Sequence, residues 1–96
     1  MSTPDIKLED SGSKGRYVVV VDGHEAEMTF SRVNLHHIIV DHTGVPDALK
    51  GQGVGVMLAE HVIAEARAKG FKITPLCPFL AAQFRKHPDW VDVLAR

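Results

Sequence analysis

Cysteine is nearly absent: Cys77 stands alone in the 96 residues. A single thiol cannot close an internal disulfide, which excludes the small secreted scaffolds that rely on them. Long apolar runs are missing too. The longest, Tyr17 to Val21, falls far short of the ~20 residues that span a bilayer. There is no excess of either charge: 11 Lys and Arg against 12 Asp and Glu leave a formal net charge of −1. Without a large positive excess, neither nucleic acid nor a membrane surface is an expected partner. The opening MSTPDIKLEDSGSKG lacks the basic-then-apolar layout of a signal peptide, so a cytoplasmic protein is expected. The remaining composition, 45% hydrophobic and 24% charged, is that of one soluble globular domain.

Residues 1–14 are polar and read as a flexible N-terminal segment with a short strand near Ile6 to Glu9, and residues 15–96 read as a single domain. RYVVVVDG is a β-branched run ending in a turn signal, and HEAEMTFSRV alternates apolar and polar residues with the period of a half-buried strand. Asp22-Gly23 between them predicts a hairpin. LHHIIVDHTGV reads as a third, more buried strand. Residues 47–69 carry Val54, Met57, Leu58, Val62, Ile63 and Ala66 at helical spacing, with Glu65 and Lys69 as an i,i+4 pair and Gly70 as C-cap. FKITPLC predicts a short strand and FLAAQFRK a short helix between Pro78 and Pro88, while WVDVLAR fits a last helical turn or a strand. The order predicts an α+β domain: a mostly antiparallel sheet followed by one β-α-β crossover.

The segment with chemical content is Lys50-Gly51-Gln52-Gly53-Val54-Gly55, ahead of the long helix. Three glycines in five residues cost about 1 kcal/mol each inside a helix, a cost usually borne where backbone must approach something closely. Backbone N–H groups at a helix start form an anion site, to which Lys50 adds charge. On the loop alone, an anion cradle and a plain tight turn are both open.

Lys50-x-x-Gly53-x-Gly55 resembles the Q/R-x-x-G-x-G/A signature of the GNAT acetyltransferase superfamily, with Lys at the first position keeping the positive charge. Asp41-His42-Thr43, Val45-Pro46, Pro75-Leu76-Cys77-Pro78-Phe79 and Arg85-Lys86-His87-Pro88 extend the likeness to the short stand-alone GNAT-like proteins over roughly residues 15–90. The resemblance implies a minimal GNAT-like fold in which parallel strands, here 35–43 and 72–77, splay to form a CoA cleft. It implies acetyl-CoA as cosubstrate and an N-acetyltransferase acting on an amine, protein or small molecule. It places pantetheine against Thr43, Gly44 and Val45. The pyrophosphate falls on Gln52, Gly53, Val54, Gly55 and Val56, beside Lys50 and Gly51, and the CoA 3′-phosphate near Arg85 and Lys86. The chain lacks the extra helices that wall the acceptor in larger GNAT enzymes. A CoA- or acyl-CoA-binding module without turnover is the competing reading, since the glycine loop serves both. The assembly expected is a monomer or weak dimer.

The residues matching His42 and Cys77 are the family's catalytic candidates. His42, near the end of the third strand, offers an imidazole, the side chain type suited to proton transfer at neutral pH. Cys77, just before a helix, could act as nucleophile or as acid toward the departing thiolate. The plainer readings are a strand-end histidine bonding the loop and a small buried hydrophobe. Direct transfer is favoured over an acetyl-cysteine, because no third residue orients a Cys–His pair. Asp41 is expected on the opposite face of the strand from His42. No metal is expected: His36 and His37 are adjacent and point apart on a strand, with no carboxylate or second Cys at ligand spacing. His24, His61 and His87 read as surface or packing residues, and Trp90 as a core lid over the short helix.

Overall fold

A computed structural model describes residues 5–95. Five strands form one sheet in sequence order: β1 (Ile6–Asp10), β2 (Lys14–Val21), β3 (His24–Asn34), β4 (His37–Gly44) and β5 (Lys72–Pro75). The first four run antiparallel and β5 lies parallel to β4. The crossover is α1 (Val54–Lys69), and α2 (Pro78–Lys86) follows β5. Single 3₁₀ segments occupy Asp47–Leu49 and Pro88–Val93. This is the α+β architecture expected from the sequence.

The β2–β3 hairpin turns on Asp22 and Gly23, with φ of 52° and 79°. Two positive φ values in succession match the right-handed twist of the flanking strands, which is why Asp-Gly signals this turn. Alternation then sorts the faces. Tyr17 and Val19 pair with Met28 and Ala26 on the buried face, while Arg16 and Val18 pair with Thr29 and Glu27 on the other. α1 packs on the buried face through Leu58, Ala59, Val62 and Ile63, all nearly inaccessible. α2 and the Pro88–Val93 turn join it there, and among the described residues no helix covers the opposite face of the sheet.

Three boundaries differ from the sequence reading. The domain edge expected at residue 15 falls inside a hairpin, because β1 pairs with β2 from Ile6↔Val19 to Asp10↔Gly15. Arg32 clamps this hairpin to β3 by two bonds of 2.8 Å to the Asp10 carboxylate, which it holds down to a pKa of about 2. Residues 1–4 of the expected flexible segment lie outside the described residues. The long helix begins at Val54 rather than 47, because Gly51 and Gly53 adopt φ of 83° and 75°, a left-handed backbone that breaks any helix running through them. β5 stops at Pro75, short of residue 77. Both expectations for the tail hold in part: a 3₁₀ turn runs to Val93, then Leu94 makes a parallel bridge to Ile73.

α1 ends as read, on Gly70 at φ 79° with its N–H on Ala66 O at 2.9 Å, and Glu65 bonds Lys69 at 2.9 Å. Trp90 is buried, edge-on to Phe84 and stacked on His87. Among the described residues no helix is long and apolar enough to cross a membrane.

Candidate active site

The site begins where a parallel pairing stops. β4 and β5 are in register from His37↔Lys72 to Val40↔Pro75. Proline has no N–H to continue the ladder, and the chain turns off into α2. The last tie between the two strands is Cys77 N–H on Val40 O at 2.9 Å. β4 runs on to Gly44 against β3 alone. The resulting gap opens into a cleft of ≈ 580 Å³. Its walls are His42, Thr43, Gly44 and Val45 from β4 and its end, Leu49, Lys50 and Gly51 from the connection, Gly53, Val54, Gly55 and Val56 from the start of α1, and Phe79 from α2.

The α1 end of the cleft is electropositive by construction. No side chain caps the helix start and no acidic residue sits in its first turn. The first intrahelical bond is Met57 N–H to Gly53 O at 2.9 Å. The N–H groups of Val54, Gly55 and Val56 therefore point along the axis at the positive end of the helix dipole without intrahelical partners. A Cβ at Gly51 or Gly53 would meet nothing within 4 Å. These two glycines are needed for their backbone angles, and they leave the loop's peptide groups accessible. Lys50 lies beside the loop, paired with Asp47 at 2.8 Å and largely exposed. That bond raises the Lys50 pKa and lowers that of Asp47.

Gly55 has a different reason to be glycine. It is buried in the first turn of α1, and a Cβ there would lie 2.9 Å from the Phe79 ring. It lets α1 and α2 close on each other while both line the cleft. Gly55→Ala should therefore destabilise the fold by about 1–3 kcal/mol through overpacking. Phe79→Leu in the same chain should recover most of the loss. Denaturant melts of the two variants check this; an additive loss in the double variant would refute the contact.

A β-bulge decides which way the catalytic candidates point. Across β3, Thr29 pairs with His42, but Phe30 pairs with Val40, so Asp41 is the extra residue. Paired residues share a face, so His42 lies with Thr29 on the helix-free face, and Thr43 with Met28 on the buried face. An uninterrupted strand would have put His42 beside Val40. The expectation for Asp41 is overturned for the same reason. Its carboxylate accepts a 2.9 Å bond from Ser31 Oγ, on the face His42 occupies. Bulges place both extra and following side chains on one side of the strand.

Cys77 is 3% exposed, on the helix side, and its thiol donates to Thr43 Oγ1 at 3.3 Å. It does not line the cleft; it meets the cleft wall through Thr43. The structure thus gathers Thr43, Gly44, Val45, Lys50, Gly51, Gly53, Val54, Gly55 and Val56 with His42 around one space. Gln52 lies outside it, bonded to Ala48 O at 3.2 Å, and Arg85 and Lys86 are exposed on the last turn of α2. Among the described residues no three His, Cys, Asp or Glu side chains gather as a metal site.

A family model described as GCN5-related N-acetyl-transferase matches residues 16–93. The chain belongs to the GCN5-related N-acetyltransferase family. It is also similar to the solution structure of a GCN5-like candidate N-acetyltransferase from Staphylococcus aureus, at 35% identity and a TM-score of 0.70, covering 99% of this chain and 91% of that one. Among curated proteins no match is found.

Two residues of this N-acetyltransferase's cleft were given no binding role from the sequence. Leu49 and Phe79 line it from a 3₁₀ turn and from the second position of α2. Neither belongs to the glycine signature. Phe79 closes the Pro75–Phe79 stretch that carries the family likeness, and the glycine in the facing helix is a second signal for it, a large residue answering a small one.

Proposed function

We propose that this N-acetyltransferase uses acetyl-CoA as donor and a primary amine as acceptor. The observation that carries this is the joint opening of two features on one cleft: the β4–β5 gap and the uncapped start of α1. The gap suits an extended pantetheine-like arm beside Thr43, Gly44 and Val45. The α1 start suits a diphosphate, whose oxygens would accept from the N–H groups of Val54, Gly55 and Val56 near Lys50.

The acceptor comes to the helix-free face. At Gly44 a Cβ would lie 3.2 Å from His42 Nε2 and 3.8 Å from Glu27 Cγ. Glycine leaves that space to a nitrogen beside the His42 imidazole, with the Glu27 carboxylate beyond it held by Arg16 at 2.7 Å. An alkylammonium with a pKa of about 10.4 is neutral in fewer than about 1 in 10³ molecules at pH 7, so proton removal is part of the work. His42 takes one proton from the ammonium; the neutral nitrogen bonds to the thioester carbonyl carbon as the carbon–sulfur bond breaks. The second proton lost from nitrogen passes through water to the departing thiolate, which leaves as the CoA thiol. Cys77 orients Thr43 from below, leaving the Thr43 hydroxyl hydrogen free to be donated to an acceptor atom of the bound acetyl-CoA.

Thermal melts with acetyl-CoA test the donor. At a hundred times its dissociation constant the ligand should stabilise the domain by about 2.7 kcal/mol. In a chain this short that raises Tm by about 10 °C or more. A flat melting curve at saturating acetyl-CoA would remove CoA as the ligand. A panel of amines with detection of released CoA thiol then identifies the acceptor.

A further inference from the structure

β1 is the outer strand of the sheet, and its backbone shows which groups are spare. Ser11 N–H bonds Lys14 O at 2.8 Å, and the β1–β2 register runs without a break. Hydrogen-bonded pairs alternate along an antiparallel ladder. Glu9 and Lys7 therefore use their N–H and C=O groups toward β2, while those of Ile6, Leu8 and Asp10 point outward. Among the described residues no backbone group reaches these outward atoms.

We propose that β1 pairs antiparallel with β1 of a second copy, about a two-fold axis at Leu8, joining two sheets into one. The side chains select this register. With the axis at Leu8, Lys7 stands directly opposite Glu9 of the second copy, twice over by symmetry. Moving the axis to Lys7 sets lysine against lysine, and moving it to Glu9 sets glutamate against glutamate; like charges directly opposite destabilise a sheet. All three axes use the same outward backbone groups, but only the axis at Leu8 pairs the whole of β1. It also has a place for the lysine charge. Arg16 Nε holds Glu9 Oε1 at 2.8 Å on the helix-free face, which leaves Oε2 to the incoming lysine.

The opposite face agrees. Leu8 pairs with Tyr17 on the helix-bearing face and is 37% exposed. It borders a hollow of ≈ 420 Å³ shared with Tyr17, Leu35 and Phe71. The two-fold sets Leu8 against Leu8, covering apolar surface that α1 does not reach. An isologous contact of this kind closes on itself and does not propagate into fibres.

The test is an exchange of charge between two variants, read by sedimentation equilibrium across micromolar to millimolar protein. The wild-type chain should pass from monomer to dimer in that range. Lys7→Glu alone and Glu9→Lys alone should each remain monomeric, since each creates two like-charge pairs per dimer. Mixed together, the two single variants should form a heterodimer, because every facing pair is again of opposite sign. Leu8→Pro removes an outward N–H without touching a β1–β2 bond, and should stay folded by circular dichroism yet monomeric. A wild-type chain that stays monomeric at millimolar concentration would overturn the proposal. So would a mixture that fails to pair, or a Leu8→Pro chain that dimerises as wild type does.

Discussion

Gly53→Asp should lower acetyl-CoA affinity by about 10³-fold while leaving the fold in place. Two effects combine, and a second variant separates them. Gly53 has φ of 75°, so any side chain there meets left-handed strain. Asn and Asp tolerate this better than other residues, and a Cβ meets nothing within 4 Å, so the loop can hold either. The added carboxylate is a different matter. It sits at the helix start where an incoming diphosphate needs positive potential, and two unit charges 4 Å apart near a protein surface repel by about 4 kcal/mol, close to 10³ in affinity. Gly53→Asn carries the strain without the charge and should lose far less. Titration calorimetry of both variants, with melts to confirm folding, decides the point. Equal affinities for wild type and the Asp variant would remove the loop as a phosphate cradle.

His42→Ala should slow single-turnover acetyl transfer by about 10²-fold or more while acetyl-CoA still binds. The expectation rests on place: His42 lines the cleft and faces the side of the sheet that an acceptor can reach. Cys77→Ser should keep most of the rate, since a hydroxyl can also donate toward Thr43 Oγ1, now held by the thiol at 3.3 Å. A covalent acetyl-cysteine route would invert this pattern, because an unactivated serine hydroxyl is a far poorer nucleophile than a thiolate. Mass spectrometry after mixing with acetyl-CoA gives an independent reading: direct transfer leaves Cys77 unmodified. Wild-type rates in both variants would leave neither residue a part in proton transfer.

The strand order, the Asp22-Gly23 turn, the crossover and the glycine loop were legible because each rests on a local pattern. β-branched runs, alternation, paired positive φ values and helical spacing all act over a few neighbouring residues. What escaped depends on residues far apart in sequence. Whether Gly55 serves a ligand or a neighbour is decided by Phe79, which arrives 24 positions later. The face taken by His42 depends on a register shift against β3, and nothing within DHTG announces it. The polar composition of residues 5–14 resembles a loose tail, yet β1 is held by its partner strand and by Arg32. For Cys77 the sequence left two readings open, a reagent or a small buried hydrophobe; its burial and its bond to Thr43 come from tertiary packing.

The bulge at Asp41 has a consequence for how this chain tolerates change in length. In an even strand, parity is shared along its whole run, so a side chain's face can be counted from either end. Here the count resets at one residue. Deleting Asp41 would close the bulge and leave the faces as they are: His42 would follow Val40 directly and still stand opposite Thr29, with Thr43 opposite Met28. The register should therefore forgive both substitution and removal at Asp41. Loss of Ile39 finds no such slack: with either strand end held in place, Val40 or Ile38 must leave the core for the helix-free face. One spare residue thus makes this point of the strand the place where the chain can shorten without turning a side chain over.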